Sequence, residues 1–130
     1  MKRMLPIIIA AVILVVSLYF IVFKDLGEKQ EVRVEYTPGE FFTTNVHGKP
    51  RHLKTAISLI VNKEGMEDYL QKENTRIRDT IIFILRDLTE EEILELGTQE
   101  RLRERILNAL NERLGIDIFV EVLFNDFVMV

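Results

Sequence analysis

From Leu5 to Phe23 the chain carries no charged residue, and only Pro6, Ser17 and Tyr19 interrupt an otherwise apolar run. As a helix at about 1.5 Å per residue, the run covers about 28 Å, close to the roughly 30 Å hydrocarbon core of a bilayer. Its β-branched content (Ile7, Ile8, Ile9, Val12, Ile13, Val15, Val16) does not argue for a strand. Lipid offers the backbone no partners, so a lone spanning segment must bond internally as a helix. Pro6 falls in the first turn, where its missing N–H costs little. Tyr19 near the far boundary suits the aromatic belt. A cleaved signal peptide would have an apolar core of about 7–15 residues followed by small residues. Ile21-Val22-Phe23-Lys24-Asp25 is not such a site, so the run reads as an uncleaved transmembrane anchor.

The flanks orient it. Lys2 and Arg3 precede the run with no acid near them, and all 21 acidic residues of the chain follow it. The positive-inside rule then keeps residues 1–4 as a cytoplasmic stub and sends everything after Lys24 outside. That exterior is more acidic than the net charge of −4 of the whole chain. An acidic exterior argues against nucleic acid as a partner and against docking on anionic lipid by charge alone. There is no cysteine, so stability must come from the core or from assembly with other subunits.

Residues 24–38 read as a juxtamembrane linker with a possible short strand, because Glu31 to Tyr36 alternates with period 2 before the break at Pro38-Gly39. Residues 39–130 read as one extracytoplasmic domain. Phe41 to Val46 is a second strand candidate, His47-Gly48-Lys49-Pro50 is turn chemistry, and Leu53 to Asn62 alternates again. The latter two runs predict a β-hairpin, with Leu53, Thr55, Ile57, Leu59 and Val61 on one face. From Glu64 the period becomes helical, with Ile77, Ile81, Ile84/Leu85 and Leu88 as the buried stripe. Thr89-Glu90-Glu91-Glu92 predicts a capping box opening a short helical turn that ends near Gly97. Thr98 starts a last helix with Leu102, Ile106, Leu110 and Leu114 as its stripe and Gly115 as its cap. Ile116 to Val130 closes as a strand, with Ile118, Val120, Val122 and Phe124 expected on one face and Phe119, Glu121 and Leu123 on the other. The expected fold class is α+β: a single transmembrane helix, then a small antiparallel sheet packed with two or three helices.

Chemistry-bearing constellations are sparse. His47 and His52, the two histidines, flank a turn without the third and fourth ligands a metal site needs. No metal, cofactor or catalytic residue is expected. Ser58, Thr43 and Thr44 are possible nucleophiles with no local signature around them. All six glycines stand singly at breaks, so no phosphate-cradling loop exists. Glu90 to Glu92 suit a helix N-terminus better than a cation. Arg76, Arg78 and Arg86 could clamp an anion, but Glu73, Asp79 and Asp87 beside them favour ordinary ion pairing. Phe41-Phe42, Phe119, Phe124 and Phe127 read as core rather than ligand box. The apolar ending Phe127-Val128-Met129-Val130 points to sheet cover or to a subunit interface. The chain is not expected to be an enzyme.

The ordered set of segments resembles the FliL family of flagellar basal body-associated membrane proteins. The resemblance rests on the basic stub and anchor, Glu40-Phe41-Phe42-Thr43-Thr44-Asn45-Val46, Leu53-Lys54-Thr55-Ala56-Ile57, Ile77-Arg78-Asp79-Thr80-Ile81-Ile82, Leu102 to Leu107 leading into Leu110-Asn111, and Val120 to Val128. Two features depart from it. The Gly-Lys pair common at the start of the last helix is absent, with Glu100-Arg101 in the turn after Gly97, and the chain ends in Met129-Val130 where the family often ends in Gln. The resemblance implies an outer domain like that of stomatin and prohibitin (SPFH). It also implies a cytoplasmic-membrane site at the flagellar base, a ring-like homo-oligomer, and support of the ion-driven stator units that generate torque for motility and chemotaxis. Its expected partners are itself, stator subunits, and membrane lipid through residues 5–23. Rival readings are a general stomatin-like membrane scaffold and a membrane-anchored ligand-sensing domain, which would need a closed apolar pocket.

Overall fold

The alternation from Leu53 to Val61 becomes the strand on which the domain is built. In the computed structural model, which describes residues 2–27 and 31–130, β3 (His52–Val61) pairs antiparallel with three other strands. The strand β4 (Phe119–Met129) runs along one edge of β3 from Leu53 to Val61. The opposite edge is shared by two short strands laid end to end. There β2 (Phe42–Asn45) pairs with His52–Thr55, and β1 (Val34–Tyr36) pairs with Leu59–Val61. Between them, five residues (Thr37–Phe41) lie opposite three (Ala56–Ser58), so the edge strand is broken and its surplus loops out at Pro38-Gly39.

The expected face of β3 is the core face: Leu53, Thr55, Ile57, Leu59 and Val61 are all buried. Against it pack α3 (Asn74–Leu85), through Ile77, Ile81, Ile84 and Leu85, and α5 (Thr98–Leu114), through Leu102, Ile106 and Leu110. Leu88 joins the same cluster. Burying each such Leu or Ile contributes roughly 1.5–3 kcal/mol against leaving it exposed. The helical stretch after Glu64 is split at Glu73 (φ −90°, ψ 4°) into α2 (Glu67–Lys72) and α3. The stripe runs through the split, since Leu70 and Ile77 are both buried. Half of the predicted capping box forms around α4 (Glu90–Leu94): the Thr89 hydroxyl accepts from the Glu92 N–H at 3.2 Å. The Glu92 carbonyl in turn accepts from the Thr98 hydroxyl, which ties α4 to the first turn of α5. At the other end, Gly115 (φ 66°) closes α5 in the left-handed conformation that glycine takes without a Cβ penalty.

The last strand departs from simple alternation. Its register slips twice against β3, between Ala56 and Ile57 and between Ile60 and Val61. The slips leave Asn125 and Val120 as surplus residues, and each such bulge moves the following side chains to the other face. Phe119 and Val122 are therefore the buried pair, while Val120, expected beside Val122, is exposed.

The apolar segment is a separate unit. Here α1 (Leu5–Gly27) is a 23-residue helix, four residues longer than the uncharged run, with Lys24 in its last turn at the negative end of the helix dipole. Side chains from Leu5 to Lys24 are exposed, and the helix is long and apolar enough to cross a bilayer. The middle of the expected linker, residues 28–30, lies outside the described residues. Residues 32–38 of that stretch belong to the compact unit Val32–Val130, and Val34–Tyr36 is its first strand.

Candidate functional site

The candidate chemical residues are dispersed into structural roles. His47 and His52 are exposed at the turn that joins β2 to β3. Backbone bonds place them there: the His47 N–H donates to the Leu88 carbonyl at 2.9 Å, and His52 exchanges two bonds with Val130, at 2.9 and 2.7 Å. No group of three potential metal ligands assembles among the described residues. The Ser58 hydroxyl is buried and accepts from the Asn125 side-chain amide at 2.7 Å, so the bulge residue of β4 seals it. Thr43 faces solvent, and Thr44 is buried in the core layer. None of these hydroxyls meets a histidine within hydrogen-bond distance among the described residues.

The three arginines separate. Arg76 pairs with Glu73 at 3.6 Å, as expected for neighbours on one helix. Asp79 turns instead to Arg113 on α5, at 2.7 Å. Arg78 does neither thing foreseen for it: it clamps backbone. Its Nη1 donates to the Pro38 carbonyl and its Nη2 to the Phe41 carbonyl, both at 3.1 Å, with the guanidinium carbon 4.2 Å from the centre of the Phe42 ring. It thus fills the broken edge between β1 and β2. Gly39 has φ +146°, a conformation closed to side chains, and a Cβ there would overlap Arg78 Nη1. No local pattern distinguishes Arg78 from Arg76, because its partners lie about forty residues earlier in the chain.

The aromatic residues also divide. Phe42 and Phe119 are core. Phe41, expected there too, is 38% exposed under the Lys54 ammonium, which sits 4.1 Å from its ring centre. Phe124 and Phe127 form a T-shaped pair at 5.4 Å, half-buried beside the helices. The apolar tail is covered on one edge by β3, whereas Val128 and Val130 remain exposed. Leu94, the last residue of α4, and Leu96, in the link to α5, are exposed as well.

Surface clefts have charged linings. A groove of about 470 Å³ follows the unpaired edge of β4, between Arg103, Glu104 and Leu107 of α5 and Val120–Val122. Another, of about 680 Å³, lies between the β2–β3 hairpin and the end of α3, with Arg86 and Asp87 on its rim. Neither has the dry, apolar lining of a small-molecule site. Among the described residues, what stands out besides these clefts is the unpaired edge of β4 and the exposed side chains of Leu94, Leu96, Val128 and Val130.

Comparison with known families places the chain more narrowly than its clefts do. The family described as "Flagellar basal body-associated protein FliL" matches residues 36–129, from the last residue of β1 to the last residue of β4. A search of curated proteins finds no match. The family consists of flagellar structural and accessory proteins. With the match covering most of the chain and nearly every element of the domain, the chain belongs to the FliL family and has a role associated with the flagellar basal body.

Proposed function

We propose that this is a non-enzymatic, single-pass protein of the cytoplasmic membrane that self-assembles around the stator units of the flagellar motor and supports them during torque generation. The observation that carries the reading is the family match over residues 36–129, directly behind a helix apolar enough to span a bilayer. Lys2 and Arg3 before that helix support an N-terminus inside and a domain outside. The division proposed with it is a stub over residues 1–4, a span over 5–23, a juxtamembrane segment over 24–38 and an extracytoplasmic domain over 39–130. The domain is an SPFH-like module in this reading.

Anchoring drives assembly by geometry. Confinement to the membrane plane raises the effective concentration of each domain for its neighbours. Closing a ring about an axis normal to the membrane requires head-to-tail contacts between two different surfaces. The exposed residues Leu94, Leu96, Val128 and Val130 supply apolar area for such contacts. The ring then selects one stator state by binding it better than the other.

In-cell crosslinking tests this. The chain has no cysteine, so single cysteines placed along residues 31–36 and along the C-terminal tail report without background. Ladders of self-crosslinks together with adducts to a stator subunit are expected. Monomer alone, in cells that build working flagella, would overturn the proposal.

A further inference from the structure

The buried core of the domain begins at Phe42, but the compact unit to which it belongs begins ten residues earlier, at Val32. From Glu31 to Phe41 only Pro38 is buried. What holds this segment to the domain is half-buried packing of Val34 and Tyr36 on the core together with a short series of ties. Arg33 pairs with Glu121 on the far flank of the sheet. Val34–Tyr36 form a three-residue ladder with β3. The Tyr36 hydroxyl lies 2.7 Å from Asn74 Oδ1 and 3.2 Å from the Leu70 carbonyl oxygen. Arg78 holds the carbonyls of Pro38 and Phe41.

We infer that residues 32–41 are a releasable strap, latched by Arg78 and Tyr36, that sets the length of the tether between the membrane helix and the domain. Three observations carry this. The strap lies on the covalent path from α1 to the core, so any pull between membrane and domain loads it first. Of its own apolar side chains only Pro38 is buried, with Val34 and Tyr36 half-buried against the core, so it opens at a small loss of apolar burial and without unfolding the core, as low-stability segments do. Its latch is also built for one arrangement, because only glycine at position 39 leaves room for the guanidinium that binds on either side of it. Release frees ten residues, which lengthens the tether by up to roughly 33 Å at about 3.3 Å per residue. A copy whose strap is released has that much more free chain between its membrane helix and its core. The inference does not depend on the identity of any partner.

Hydrogen exchange on the full-length chain in lipid nanodiscs tests it without any motor present, so its outcome is separate from that of the stator proposal. Amides of residues 33–41 are expected to exchange at least tenfold faster than those of β4. Arg78→Ala should speed the strap at least a further tenfold and leave β4 unchanged. A second variant guards against a folding defect: Val34→Cys with Val61→Cys places two cysteines directly opposite across the ladder, within disulfide reach. Oxidation should slow the strap to the rate of β4, and reduction should restore it. Equal exchange of strap and β4 in the unmodified chain, or equal acceleration of both by Arg78→Ala, would overturn the inference. So would an oxidised pair that leaves strap exchange unchanged.

Discussion

The two flanks of β3 are made from the same kind of backbone pairing and do opposite work. On one side a single strand, β4, follows β3 for nine registered positions and receives α5 across its face. On the other, two fragments of three and four residues meet at a loop held open by an arginine. The β4 flank takes its cohesion from fully buried side chains, Phe119 and Val122 above all. The β1–β2 flank beyond Phe42 has only the half-buried Val34 and Tyr36 and the buried Pro38 as apolar contacts, and takes the rest of its cohesion from hydrogen bonds and an ion pair. A sheet can therefore be rigid along one edge and releasable along the other, with the rigid edge made late in the chain and the releasable one early, in the stretch that follows the apolar helix.

The largest expected effect falls on the β4 side. Phe119→Ala removes a ring that is 2% exposed at the start of β4, and truncations of this kind cost about 3–5 kcal/mol. Against the 5–15 kcal/mol typical of a domain, that is a large share of the stability. Urea denaturation should show the midpoint falling for all probes together, strap and core alike. Loss confined to one flank would break the comparison.

The next effect compares two backbone clamps. Asn111 on α5 donates to the Phe119 carbonyl at 3.0 Å and accepts from the Phe119 N–H at 3.1 Å, standing in for a strand partner at the outer edge of β4. Arg78 does the corresponding service for Pro38 and Phe41. Losing a partner of a buried backbone group costs about 1–3 kcal/mol. Asn111→Ala should lower global stability by about that amount, because β4 opens only with the core. Arg78→Ala should appear chiefly as faster local proteolysis between residues 31 and 41, with a smaller change in the urea midpoint. Measuring both variants by both methods sharpens the contrast: the two mutations should exchange rank between the assays.

Much of the rigid side was legible in the sequence, and little of the other. The core face of β3 follows from its alternation, the stripes of α3 and α5 from residues three and four apart, and the caps from the Thr89 hydroxyl and from the missing Cβ of Gly115. Each is a local signal, read within one turn or one pleat. The broken edge is not local. Its five-against-three mismatch exists only once β1 and β2 are both registered on β3, and the residue that fills it comes from a helix in another part of the chain. The bulges in β4 escape the alternation for the same reason: Val120 is exposed and Phe119 buried because of a slip against Ile60 and Val61. The family resemblance identified the motor context from the order of segments. It did not assign Arg78 its role, and an anion clamp or an ion pair were the roles that composition offered.

A smaller effect should separate the flanks by pH. Burial raises the pKa of the Tyr36 hydroxyl above its ordinary value of 10.0. The neutral phenol is thus favoured in the latched state, and the stabilisation is fully present below pH 10 and is lost as pH rises through the folded value. Exchange in the strap should accelerate above pH 10 more than the intrinsic base-catalysed rate, while β4 follows the intrinsic rate alone. Tyr36→Phe should remove the excess. A strap whose exchange in the native chain keeps to the intrinsic slope would show that this hydroxyl does not latch it.

The smallest expected effect concerns the one tie that joins the flanks. Arg33 and Glu121 meet across β3, with side chains 49% and 41% exposed. Exposed pairs of this kind are worth about 0–1 kcal/mol, because solvent screens the attraction and ordering two long side chains opposes it. Arg33→Ala should leave the urea midpoint within error. The pair nevertheless anchors the outermost residue of the strap, so its loss should fray Val34 before Tyr36 and Tyr36 before Phe41. Site-resolved exchange in 50 mM and in 500 mM salt separates this from a packing effect, since a Debye length shortened from roughly 14 Å to about 4 Å weakens an exposed pair and leaves apolar contact intact. Salt and mutation should then fray the same end of the strap, each removing the effect of the other. Fraying that starts instead at the Pro38-Gly39 loop would place the weak point of the strap at its latch rather than at its membrane end, and would reverse the order in which the ties fail under load.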